Sequence, residues 1–201
     1  MTQTRSFAVP LLLALYLFAA GADYAQVALR VRATITGIDG NILSVRTREG
    51  KDLKLQMSDT IVVVAAKALR LEELKPGDYV GTTTQKRADG TLVAVEVHTL
   101  PTTAKPGQTP WDLEPDSMMT NGNVTGSVAK SADGQRITIE YQGGSQTVLV
   151  PANTPIVTNA AADRAALKVG EYIFTTAAVA ADGTLTVQRI TVSRDGVKPP
   201  Q

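Results

Sequence analysis

The chain has 201 residues, of which 43% are apolar, 19% charged and only 4% aromatic, with no Cys and a single His. Lys and Arg total 20 against 19 for Asp and Glu, so the net charge is close to zero. Thiol catalysis, thiolate metal sites, a disulfide framework and a basic nucleic-acid binder are thereby excluded, and the length suits one or two small domains.

In chain order, residues 1–22 read first as a secretory signal peptide. Arg5 is the positive n-region, Val9 to Ala20 supply an apolar stretch, and Ala20-Gly21-Ala22 is a small-x-small cleavage pattern. The mature start is expected at Asp23. Cleavage after Ala25 would put Asp23 where a small residue is needed. The apolar stretch is too short for a membrane anchor, which needs about 20 residues, and no Cys follows it for lipidation. Arg5 is the only charge removed, so the mature chain carries 19 basic and 19 acidic residues. A neutral chain is not steered towards nucleic acid or anionic lipid.

The remainder is expected to be one module written twice. Leu74-Lys75-Pro76-Gly77-Asp78-Tyr79-Val80 recurs 93 residues later as Leu167-Lys168-Val169-Gly170-Glu171-Tyr172-Ile173, and Ala88-Asp89-Gly90-Thr91-Leu92 recurs unchanged as Ala181 to Leu185. Asp39-Gly40 matches Asp133-Gly134 at an offset of 94. These matches define a first repeat within 23–100, a Pro-rich acidic connector at 101–121, a second repeat at 122–194 and a tail at 195–201.

Within the first repeat, Val31 to Thr36 alternates apolar with polar as a half-buried strand does, and strands follow over 42–47 and 52–57 after Asp-Gly and Glu-Gly turns. Ile61 to Val64 reads as a buried extension, and Ala66 to Leu74 as a short helix closed by Pro76-Gly77. A final hairpin, 78–84 and 91–97, turns at Asp89-Gly90. The second repeat follows the same order, with Ala161 to Leu167 as its helix. Gly40, Gly90, Gly134 and Gly183 each follow Asp, as hairpin turns with positive φ require. Gly77 and Gly170 are expected at matching turns. Three strands, a helix and two strands is the order of an OB-like barrel. The predicted fold is therefore mainly β: two tandem five-stranded OB-like small barrels, each with one short helix, with a β-sandwich as the alternative.

The paired Asp-Gly turns, the Leu-Lys-Pro-Gly-Asp-x-Val and Ala-Asp-Gly-Thr-Leu motifs, Val95 to Pro101, Trp111-Asp112-Leu113 and Ser117 to Asn121 together resemble a bacterial exported domain-of-unknown-function family of small β-barrels. The resemblance implies the fold and export. It brings no activity, so no catalytic residue is carried over.

Few residues carry chemistry. Glu96 and His98 alternate onto one face of the last strand of the first repeat. Beyond them lie Asp112, Glu114, Asp116, Met118 and Met119, and together these would suit a divalent metal or copper ion if the connector folds back. Trp111, the sole Trp, is expected to pack the connector down or to offer a stacking platform, while Pro101, Pro106, Pro110 and Pro115 bar it from helix and central strand. Ser117, Thr120, Asn121 and Asn123 form a polar cluster without a nucleophile elbow, and Asp112, Glu114 and Asp116 lack the aromatic lining of a sugar-cleaving cleft. The expected protein is a periplasmic or secreted, non-enzymatic binding or scaffold protein without a cofactor. Its expected partner is an envelope protein, a saccharide or a peptide, not nucleic acid, and the mature chain does not insert in the membrane. The alternative is a periplasmic metal-binding protein using His98 and the connector. The candidate ligand site is a crevice bordered by Glu96, His98, Trp111, Asp112 and Asn121, with 110–121 packed beside it and Trp111 largely buried.

Overall fold

The structure, a computed structural model, describes residues 28–131 and 133–200. The predicted signal peptide lies outside these residues. The architecture is mainly β, with strands β1 (Ala28–Asp39), β2 (Ile42–Thr47), β3 (Asp52–Ala68), β4 (Tyr79–Lys86), β5 (Leu92–Thr99), β6 (Gly107–Trp111), β7 (Ser117–Ser131), β8 (Gly134–Tyr141), β9 (Gly144–Val150), β10 (Ile156–Ala161), β11 (Tyr172–Val179) and β12 (Leu185–Val192).

Five strands close into a barrel: β1 pairs with β2 and β11, β2 with β3, β11 with β12, and β12 runs parallel to β3 to complete the circuit. Alternation along these strands sends Val31, Ala33 and Ile35, Leu43 and Val45, Leu55 and Met57, and Val187 into one apolar core. Five of the remaining seven strands close a second ring of pairings. Here β4 joins β5 and β7, β7 joins β8, β8 joins β9, and β9 runs parallel to β5. Val80, Val97, Val124, Ile137, Ile139 and Val148 fill the second core.

One barrel per repeat is therefore not what forms. The barrel takes β1 to β3 from the first repeat and β11 and β12 from the second, and the second ring takes β4 and β5 from the first repeat and β7 to β9 from the second. The physical reason is β3. Its 17 residues reach about 55 Å at ~3.3 Å per residue, so it enters the barrel at Asp52 and delivers the chain to the other ring without turning back. The expected helix over Ala66–Leu74 would have reversed the chain. Its Ala-rich start instead pairs with β10, through Ala66↔Asn159 and Ala68↔Val157, directly after Ala65 pairs with Val192 of β12. Sheet pairing overrides the helical propensity of alanine there. Only single 3₁₀ turns remain, Leu71–Glu73 and Arg164–Ala166, the second capped by the Asp163 carboxylate accepting from the Ala165 N–H.

The pairings map onto one another under a shift of 93. Ile156↔Val97 becomes Val63↔Ile190, and Val93↔Leu149 becomes Thr186↔Gln56. Gly77 and Gly170 occupy matching turns at φ 95° and 93°, and Gly40, Gly90, Gly134 and Gly183 all have positive φ. The connector gains structure that its prolines obscured. Strand β6 pairs along one edge with β7, carrying Pro110, and 117–121 belongs to β7, between β4 and β6. The tail folds back so that Pro199 and Pro200 are buried.

Candidate functional site

Strand alternation decides what faces outward from the second ring. Val80 and Val97 point into its core, so Gly81, Thr83, Glu96, His98, Met119 and Asn121 share the outer face. The register sets them in two rows, His98–Gly81–Asn121 and Glu96–Thr83–Met119. Across from them stand Arg30 and Arg32 of β1 and Phe174 of β11, which alternate with the barrel's core residues Val31, Ala33 and Ile173.

Gly81 makes the first row possible. A Cβ at this position would lie 2.6 Å from Nε2 and 2.8 Å from Cε1 of His98. The imidazole thus rests on bare backbone. It is buried, Nδ1 has no hydrogen-bond partner, and Glu96 Oε1 stands 3.9 Å from it, beyond hydrogen-bond reach. Burial pushes the imidazole pKa down to about 4, so the ring is neutral in ordinary buffers. In the second row the Thr83 hydroxyl donates to Glu96 Oε1 at 3.1 Å and lies 4.0 Å from Met119 Sδ.

Two clefts open beside this face, of about 620 Å³ and 320 Å³, and His98, Leu100, Phe174 and Pro200 border both. The larger runs along β11 and β12 and reaches Asn159, while the smaller is closed by Trp111, Arg30, Thr109, Met119 and Asn121. Both volumes fall in the range of small-molecule sites. Asn121 donates its Nδ2 to the Lys105 carbonyl, which leaves Oδ1 facing no partner, and Asn159 Oδ1 is also buried and unpartnered.

Three arginines fasten the connector over this region. Arg32 Nη2 donates to Asp112 Oδ1 at 2.8 Å, Arg30 Nη1 stands 3.6 Å from the same oxygen, and Arg48 donates to the Asp112 and Leu113 carbonyls. The Arg30 guanidinium also lies 3.9 Å from the Trp111 ring centre, a cation–π contact. Burial alone would raise the Asp112 pKa, but the Arg32 hydrogen bond and the charges of Arg32 and Arg30 outweigh it and lower it. Trp111 is half-buried, less than expected, and the Arg30 guanidinium covers one of its faces.

The crevice expected from the sequence therefore gathers His98, Trp111 and Asn121, with Glu96 one row behind and Asp112 fixing its rim. The larger metal set does not come together. Among the described residues no group of three or more His, Asp and Glu side chains is placed to hold an ion. Asp112 is held by arginines, Asp116 lines a separate recess with Gln85 and Arg87, and Met118 alternates to the opposite face from Met119. Glu114 contributes only backbone atoms, to the Ser117 hydroxyl. The polar cluster has structural work: Ser117 donates to the Trp111 and Glu114 carbonyls, Thr120 accepts from Gln108 and Gln146, and Asn123 donates to the Gly77 carbonyl.

Gly81, Leu100, Asn159, Phe174 and Pro200 escaped the sequence reading. One signal was available. Extending the match of Leu74–Val80 with Leu167–Ile173 by a single residue sets Gly81 against Phe174, and the same shift sets His98 against Thr191 and Glu96 against Arg189. The repeats differ at these crevice positions.

No family model matches this chain, and neither a curated protein nor a solved structure is significantly similar to it.

Proposed function

We propose that this chain is an exported, non-enzymatic binding protein whose ligand sits in the crevice between the two strand rings. The observation that carries this reading is that three of the six buried polar side-chain atoms without partners among the described residues, His98 Nδ1, Asn121 Oδ1 and Asn159 Oδ1, belong to residues that line the two clefts. Leaving such an atom unpaired costs roughly 1–3 kcal/mol, and a ligand towards which these side chains turn recovers it. The half-buried Trp111 and Phe174 add apolar walls.

The second ring is read as an OB-like barrel like the first, and the two halves as a tandem repeat with exchanged strands. The matching turns and the 93-residue relation among the pairings support this. Export to the periplasm or beyond rests on the signal-peptide reading of residues 1–22, and the tandem exported family resembled there is part of the same proposal. The non-enzymatic reading is supported by the commitment of the Ser117 hydroxyl to two carbonyls and by the sole imidazole lying against backbone.

The test is thermal melting of the mature chain against a library of small metabolites. At least one compound is expected to raise the Tm, with the shift lost in Asn159→Ala and His98→Gln and kept in Val169→Ala, an exposed control. No shift from any compound, shifts indifferent to the crevice variants, or turnover of the bound compound would contradict the proposal.

A further inference from the structure

We infer that the ligand of this crevice is an uncharged saccharide, an inference that rests on the binding role proposed above. Two arguments on the chemistry of the walls lead to it. The first concerns what the crevice offers. The larger cleft is lined by Thr176, Thr186, Thr191, Gln188 and Asn159, side chains that carry both donors and acceptors or an acceptor held in place. The amide oxygens of Asn121 and Asn159 are buried without a donor, and a small turn of either side chain would offer its oxygen to a ligand hydroxyl. The neutral imidazole of His98 takes either role. Sugar hydroxyls donate and accept together, and the C–H face of a pyranose lies on aromatic walls such as Phe174 and Trp111.

The second argument concerns what the crevice withholds. A peptide gains much of its affinity by adding a strand to an exposed sheet edge. The strands bordering the larger cleft leave only a short interrupted edge: β11 is paired by β1 along its length and by β12 on either side of a break between Phe174 and Ala178, and β12 is paired by β3 on its other side. Charge is scarce as well. Among the described residues Arg189 is the only charged one lining the larger cleft, and Arg30 in the smaller one is engaged with Trp111 and Asp112. A charged ligand finds no buried counter-ion here, while hydroxyl groups find partners along the whole wall.

The experiment titrates the mature protein with maltose, cellobiose and N,N′-diacetylchitobiose, and in parallel with blocked trialanine, by calorimetry and by acrylamide quenching of the single Trp. At least one disaccharide is expected to bind and to shield Trp111. Its affinity should fall about tenfold, the loss of one hydrogen bond, in Asn159→Ala and in His98→Gln, and stay unchanged in Val169→Ala. Should a variant fail to fold, shielding of Trp111 in the unmodified chain decides. Binding of the peptide or another metabolite through the same residues, with no disaccharide bound, would overturn the saccharide class and leave the binding role standing. Disaccharide binding that ignores both variants and leaves Trp111 unshielded would overturn the site. A chain that binds nothing would overturn both.

Discussion

Ala66 stands opposite Asn159, its own counterpart 93 residues on, in the antiparallel pairing of β3 with β10. A residue that pairs with its counterpart marks the point about which the two halves exchange strands. On one side of this pair the chain fills the barrel, and on the other it fills the second ring. Asn159 also lines the larger cleft, so the centre of the exchange and the floor of the candidate site meet in one residue. The crevice exists because two rings built from shared strands are held face to face.

Gly81→Ala is expected to destabilise the protein by about 1–3 kcal/mol, the usual cost of forcing atoms into a packed site. The new Cβ would fall 2.6 Å from His98 Nε2, and the ring would have to leave its seat. Denaturant unfolding measures the loss, and adding His98→Ala to the same chain is expected to restore part of it. Equal stability of Gly81→Ala and the unmodified chain would contradict the packing described.

Stability is expected to fall with acid because of His98. Its folded pKa of about 4 lies below the ordinary 6.5, so between those values the unfolded chain binds more protons than the folded one. Stability therefore rises with pH across this window, is complete above about 6.5 and is lost progressively down to about 4. The whole change is on the order of 3 kcal/mol. Carboxylates such as Asp112 also lose stability in acid, so the diagnostic quantity is the difference between the unmodified chain and His98→Gln. That difference should shrink as pH falls. With a single His, one imidazole NMR signal reports the same titration, and a midpoint near 6.5 in the folded protein would contradict the burial.

Asp112→Asn is expected to cost about 1–3 kcal/mol, since it weakens the hydrogen bond to the buried Arg32 side chain. Half of the Asp112 side chain is exposed (52%), which keeps the cost below that of a fully buried pair. Loosening the connector should also shift Trp111 emission to the red and raise its quenching. Unchanged emission would mean that Arg30 and Arg48 suffice to hold the segment.

Much of the strand pattern was legible because strand alternation and Asp-Gly turns are local. Val31 to Thr36, the hairpin turning at Gly90 and the matched turns at Gly77 and Gly170 all formed where the pattern placed them. Partner choice was not legible. Any strand with an apolar face can close either ring, and what directed the exchange was the unbroken run of β3 through Ala65–Ala68, where composition favours helix and pairing favours strand. The candidate site was half legible for the same reason. Glu96 and His98 shared a face by simple alternation, whereas Phe174 and Asn159 reach them only once the exchanged strands are in place.

The most direct measurement of that exchange uses two paired-cysteine variants in a chain that has no Cys of its own. In the structure Thr186 pairs with Gln56, and Val93 pairs with Leu149. Neighbouring strands lie about 4.8 Å apart, within the span of a disulfide. If each repeat closed on its own strands, the same positions would pair Gln56 with Val93 instead. Mild oxidation is therefore expected to link Gln56→Cys to Thr186→Cys within one chain, read by non-reducing peptide mass mapping, and to leave Gln56→Cys with Val93→Cys unlinked. A link in the second variant and free thiols in the first would contradict the strand exchange, and with it the crevice that the exchange builds.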